Sequence, residues 1–210
     1  TGSVFLLATV TFMAQIPILL VTPLMSVFVD RFDRQKILIL TQSLSMVQAL
    51  SMAALTLSGV IEVWHILILS LLIGCINALD NPTRQAFYPS LVAKEHLSNA
   101  IALNSAVING SRLIGPAVGG VLIGIFGEGL CFLLNGISYI GVISALLLMR
   151  LPQPTPQNNR QNVLADLTEG FIYVSGSIPL RSLLLLMSVV SFFGLPLMTF
   201  IPAYVKDILG

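Results

Sequence analysis

Charge is scarce in this chain. Of its 210 residues, ten are Lys or Arg and nine are Asp or Glu, so 9% are charged, against about 25% in an ordinary soluble domain. That is too little to coat a water-exposed surface of this size. The same scarcity excludes aqueous disorder and a charged nucleic-acid binder. Cysteine is equally sparse: Cys75 and Cys131 each sit inside an apolar run, where no disulfide framework is expected. His65 and His96 lie far apart without ligand spacing, so no metal site is expected. The chain lacks a Gly-x-x-x-x-Gly-Lys-Ser/Thr nucleotide loop, and no cluster of Ser, Cys or carboxylates points to covalent or acid/base chemistry. Neither an enzyme nor a cofactor is therefore expected. Thr1-Gly2-Ser3 leads straight into an apolar run with no basic stretch before it, which argues against a signal peptide.

What is present is apolar: 56% of the residues are hydrophobic and the mean hydropathy is +0.95. A membrane span needs roughly 20 mostly apolar residues, and six stretches qualify: 4–28, 37–58, 64–87, 98–124, 130–149 and 182–205. These runs are continuous rather than alternating, which excludes a β-barrel. The expected fold class is an all-α polytopic membrane protein with about six transmembrane helices. Basic residues fall in alternate connections: Arg31, Arg34 and Lys36 in the first, Arg84 and Lys94 at the third, Arg150, Arg160 and Arg181 in the fifth. The second and fourth connections carry only Glu62 and Glu128. The positive-inside rule then places connections 30–36, 88–97 and 150–181 in the cytoplasm. The last of these opens on Leu151-Pro152-Gln153-Pro154-Thr155-Pro156, which no helix can run through. Leu164, Leu167, Phe171 and Val174 then keep the spacing of a short amphipathic helix lying on the membrane surface. Three regions are expected: an incomplete five-span bundle over 1–149, a cytoplasmic linker over 150–181, and the first span of a second bundle over 182–210. Both ends look like cut edges, so the chain is expected to be a fragment whose remaining spans belong to a longer protein.

Asp30-Arg31-Phe32-Asp33-Arg34-Gln35-Lys36 resembles the signature loop of the major facilitator superfamily, Gly-x-x-x-Asp-Arg-x-Gly-Arg-Arg/Lys. Asp30, Arg31 and Arg34 match; Ser26 and Asp33 replace the two glycines, and Gln35 stands at a basic position. Gly115-Pro116-Ala117-Val118-Gly119-Gly120 resembles the Gly-Pro-x-x-Gly-Gly core of the fifth-span motif in the superfamily's exporters. The stretch from Asn77 through Asp80-Asn81-Pro82-Thr83-Arg84 to Asn104 is similar to the drug- and siderophore-exporter branch, as are the long linker and the Pro196 to Pro202 segment. The resemblance covers essentially the whole chain, as spans two to seven of twelve. It implies two bundles rocking about a central cavity. Asp30, Arg31 and Arg34 would form a conformational latch, or an ordinary basic loop that sets topology. Gly115, Pro116, Gly119 and Gly120 would allow close contact at a moving bundle interface, or simple tight packing.

Ionisable groups inside spans are costly and face a partner or a cavity. Asp80 and Arg84 are four apart on one helical face and can pair. Arg112 lies near the middle of its span, close to Asn109 and one turn from Gly115. These four are the candidates for a substrate or ion path; each also has a structural reading, with Arg112 bonding Asp80 or backbone carbonyls. Gln15, Gln42, Gln48, Asn77, Asn104 and Asn135 supply further polar groups, chiefly for packing. The resemblance implies a secondary exporter of a drug, macrolide or siderophore across a bacterial cytoplasmic membrane. Its partners would be a small-molecule substrate, membrane lipid and protons as the coupling ion, with no nucleic acid. A lysophospholipid flippase of the same superfamily, the membrane subunit of an ATP-driven transporter and a non-transporting scaffold are the competing readings.

Overall fold

Hydrogen bonding in hydrocarbon must be satisfied within each segment, and the regular elements that follow from this are helices. The computed structural model describes residues 4–29, 32–149, 168 and 172–191, and among them there is no strand. Contacts divide the chain into two units, residues 1–12 with 159–210, and residues 13–158.

Helix α1 (Val4–Val29) contains no charged residue, and Pro17 and Pro23 lie inside it. In its first turns, Thr9 and Thr11 donate their hydroxyls to the carbonyls of Phe5 and Leu7, at 2.8 and 2.9 Å. Neither hydroxyl is thereby left bare in an apolar phase. In the unit that holds residues 168 and 172–191, helix α5 (Ile178–Ser191) is a shorter apolar helix. The expected sixth span is helical as far as Ser191; its remainder, 192–205, lies outside the described residues, as does most of the expected amphipathic segment 163–174.

Helices α2 (Arg34–Leu57) and α3 (Val63–Leu91) are also long and apolar enough to span. Asp33 starts α2 by accepting a bond from the Gln35 amide at 3.0 Å, the usual role of an aspartate at a helix N-cap. The α2–α3 turn is made by Ser58, whose amide reaches Ala54 O, and by Gly59 at φ 72°, a left-handed C-terminal position that favours glycine. α3 continues past the expected end at 87 to Leu91, through Pro82 and Pro89.

Helix α4 (Leu97–Leu148) is 52 residues long, about twice a span, and breaks at Gly127 (φ 77°, ψ 169°). A φ of that sign is one only glycine adopts without strain. The expected spans 98–124 and 130–149 are thus two limbs, 97–126 and 128–148, joined where the sequence reads Gly127-Glu128-Gly129. The second limb packs antiparallel on α2. A side-chain carbon built on Gly129 would lie 2.7 Å from the Leu57 Cδ2, and one on Gly136 would lie 2.6 Å from the Leu50 Cδ2. Two leucines seven residues apart thus sit over two glycines seven residues apart, a knob-and-gap register that brings the backbones close.

α2 is the most enclosed of these helices, followed by α3. Its buried face runs Ile37, Leu38, Thr41, Gln42, Ser45, Ala49, Met52 and Ala53. The polar residues thus cluster inside while large apolar side chains such as Leu40, Leu44 and Val47 face out. That inversion suits a lipid surround and not water.

Candidate functional site

The contact between α2 and α3 is a polar seam. Asp80 is 4% exposed. Its Oδ1 accepts the Thr41 hydroxyl at 2.6 Å and the Gln42 amide at 2.8 Å. Its Oδ2 accepts Arg84 Nη2 at 2.7 Å. The i, i+4 spacing brings Arg84 onto Asp80 along one helix face, while Thr41 and Gln42 both reach the same carboxylate oxygen from α2. The Arg84 side chain is 46% exposed against 6% for Asp80, so one end of the ion pair is enclosed and the other is open. Further along the seam, Gln48 reaches Leu69 O at 3.4 Å, and Thr83 bonds back to Leu79 O at 2.6 Å.

A second cluster gathers at the end of the helices that carries Arg34. Arg34 Nη1 donates to Ala86 O on α3 at 2.8 Å. Gln35 Nε2 donates to Leu146 O and, at 3.0 Å, to Met149 O. Carbonyls in the last turn of a helix have no amide partner of their own, so Gln35 caps the end of α4 from another helix. Three helix ends are thereby tied through two adjacent side chains. Asp33 also lies 3.9 Å from the Lys36 ammonium.

The structure therefore joins Asp80 and Arg84, and it gives Arg34 a partner on α3. Asp30 and Arg31 lie outside the described residues. Asn109, Arg112, Gly115, Pro116, Gly119 and Gly120 are all on the first limb of α4. There, side-chain carbons built on Gly115, Gly119 and Gly120 would meet nothing within 4 Å. An open groove on this limb is lined by Val107, Gly110, Ser111, Ile114, Gly115 and Val118. Asn109 and Arg112 are exposed, and the described partners of Asp80 are Thr41, Gln42 and Arg84, not Arg112. Sequence reasoning singled out neither Thr41 nor the capping roles of Asp33 and Gln35. The available signal for Thr41 was its place beside Gln42, with Ser45 one turn on, in a run of small polar residues along an otherwise apolar span. Among the described residues no group of His, Cys, Asp and Glu could hold a metal ion.

Apolar helices of membrane length, with the buried Asp80 carboxylate folded into an interhelical hydrogen-bond network, define a multi-pass α-helical membrane protein. The profile of the family described as transmembrane secretion effector matches residues 1–210, and the chain belongs to that family of major facilitator superfamily transporters. Similar curated proteins include the staphyloferrin A transporter of Staphylococcus aureus, 33% identical over 146 residues covering 69% of this chain and 36% of that protein. Macrolide efflux protein A of Streptococcus pyogenes is 25% identical over 218 residues, 99% of this chain and 52% of that protein. The enterobactin exporter EntS of Escherichia coli is 27% identical over 153 residues, covering 72% and 36%. The chain spans between a third and about half the length of these relatives. No solved structure matches it. The family and the apolar helices make this a multi-pass protein of a bacterial membrane.

Proposed function

We propose that the full-length protein is a secondary exporter, moving a small amphipathic molecule of the siderophore or macrolide kind by alternating access and driven by protons. In this reading residues 1–149 are five spans of the first bundle, 150–181 a cytoplasmic linker and 182–210 the opening span of the second. Kinship with siderophore and macrolide exporters over most of the chain is the observation that carries the proposal. The geometry is consistent with it: Asp80 and Arg84 form the ionisable pair inside the spans, and Arg34 and Gln35 tie helix ends beside the signature loop. Asp30 and Arg31 would complete that loop as a latch against the second bundle. Gly115, Pro116, Gly119 and Gly120, on a limb where added side-chain carbons meet open space, would be the surface on which the bundles slide. Asn109 and Arg112 on the same limb would face the transport path.

The test is made in cells. Drug-sensitive bacteria expressing the full-length protein should accumulate several-fold less of a labelled macrolide or ferric siderophore than cells carrying an empty vector. Equal accumulation across a panel of both classes would contradict the exporter reading.

A further inference from the structure

Thr41 has one hydroxyl proton and two acceptors. Its Oγ lies 2.6 Å from Asp80 Oδ1 and 3.0 Å from Leu38 O, and a hydroxyl donates to only one of them at a time. With Asp80 ionised, the proton points at the carboxylate and the Leu38 contact goes unmade. With Asp80 protonated, the acid donates to Thr41 Oγ and the Thr41 proton turns to Leu38 O. In both protonation states the Asp80–Thr41 hydrogen bond is kept with no heavy atom of that contact moved. The Gln42 amide donates to Oδ1 in either state, because a protonated carboxyl oxygen retains a lone pair.

A second observation points the same way. The Asp80–Arg84 pair is lopsided, with the guanidinium nearly half exposed and the carboxylate enclosed. Arg84 can swing toward the open side, whereas Asp80 cannot leave the seam. A buried carboxylate that has lost its counter-charge is strongly disfavoured, and neutralising it with a proton is the lower-energy outcome.

We propose that Asp80 is a proton-exchange site within the α2–α3 seam, with the Thr41 hydroxyl as the switch that solvates both of its states. The carboxylate takes a proton from water reaching the Arg84 side, the proton resides on Oδ1, and Arg84 stays a cation throughout. The charged group facing Asp80 on its own helix is Arg84, with Tyr88 against the guanidinium. On α2 the facing groups, Thr41 and Gln42, are neutral. The charged residues of that helix, Arg34 and Lys36, sit at its first turn, where Arg34 is bound to Ala86 O. α1 contains no ionisable residue, and the second limb of α4 carries Glu128 at its far end. The inference deepens the proton-driven reading above and rests on it for its use in transport, but its test needs neither substrate nor gradient.

The measurement is infrared difference spectroscopy of the purified full-length protein in lipid, recorded while the pH is lowered. A protonated aspartic acid has a carbonyl stretch well separated from ionised carboxylates. A band should appear on acidification and be lost in Asp80→Asn. Thr41→Val should shift it to higher frequency, because the acid proton then has no acceptor; Thr41→Ser should restore it. If Asp80→Asn does not fold, Asp80→Glu serves, with the band persisting at a displaced frequency. Absence of any Asp80-dependent band down to the acid limit of folding overturns the proposal and makes the pair a permanent ionic staple. A band that Thr41→Val leaves in place overturns the switch. Failure of export with the band intact would instead fault the exporter reading alone.

Discussion

Gly74→Leu is expected to abolish the folded protein, and Gly74→Ala to lower its stability by about 1–3 kcal/mol, the usual cost of forcing extra atoms into a packed contact. A side-chain carbon on Gly74 would collide with the carbonyl oxygen of Ala14 on α1 and approach Pro17 Cγ to 3.1 Å. The first obstacle is backbone, so no rotamer change relieves it; α1 must move away from α3. Gly136→Ala is the informative contrast. Its obstacle is mainly the Leu50 side chain, which can rotate, so the loss should be smaller. Thermal unfolding of the detergent-solubilised full-length variants, read by the fraction remaining monodisperse, ranks them. A Gly74→Ala protein as stable as wild type would contradict the close α1–α3 approach.

Asp80→Ala is expected to cost about 2–4 kcal/mol, with loss of transport. Removing one partner of a buried ion pair typically costs about 3–5 kcal/mol. Arg84 is nearly half exposed and regains solvent, which lowers the figure, while Thr41 and Gln42 lose their common acceptor, and interhelical bonds of this kind average about 0.6 kcal/mol each. Arg84→Ala should cost less, since the carboxylate keeps its two neutral donors. The double variant should be less destabilised than the two single effects added together, the signature of a coupled pair. Strict additivity in that cycle would show that the two side chains act independently.

The helices themselves were legible because hydropathy and length dictate them in a membrane. The break in α4 could be placed because Gly127-Glu128-Gly129 interrupts an otherwise unbroken apolar run. The start of α2 at Arg34 rather than 37 was hidden by the resemblance: Asp33, read as a departure from a glycine, is an N-cap, and a cap extends a helix backward. The expected span ended at 87, where the apolar run gives way to Tyr88-Pro89-Ser90, yet the helix runs on to Leu91 with Pro82 and Pro89 accommodated within it. The Asp80–Arg84 pair was visible since both residues lie on one helix, where spacing fixes proximity. Thr41 was not, because it is 39 residues from Asp80, and only the rotation of α2 against α3 brings them together. Arg112 falls midway along the first limb of α4, but position along one helix does not name the neighbouring helix, and its reading as a bond to Asp80 was one that spacing could not decide.

The central claim, a proton-driven exporter, is tested most directly by reconstituting the full-length protein in liposomes and imposing a proton gradient without ATP. A labelled macrolide or siderophore should move against its own gradient, in the direction opposite to the protons, and a protonophore should collapse that movement to the level of empty liposomes. Uphill movement that needs ATP and ignores the proton gradient would contradict the account.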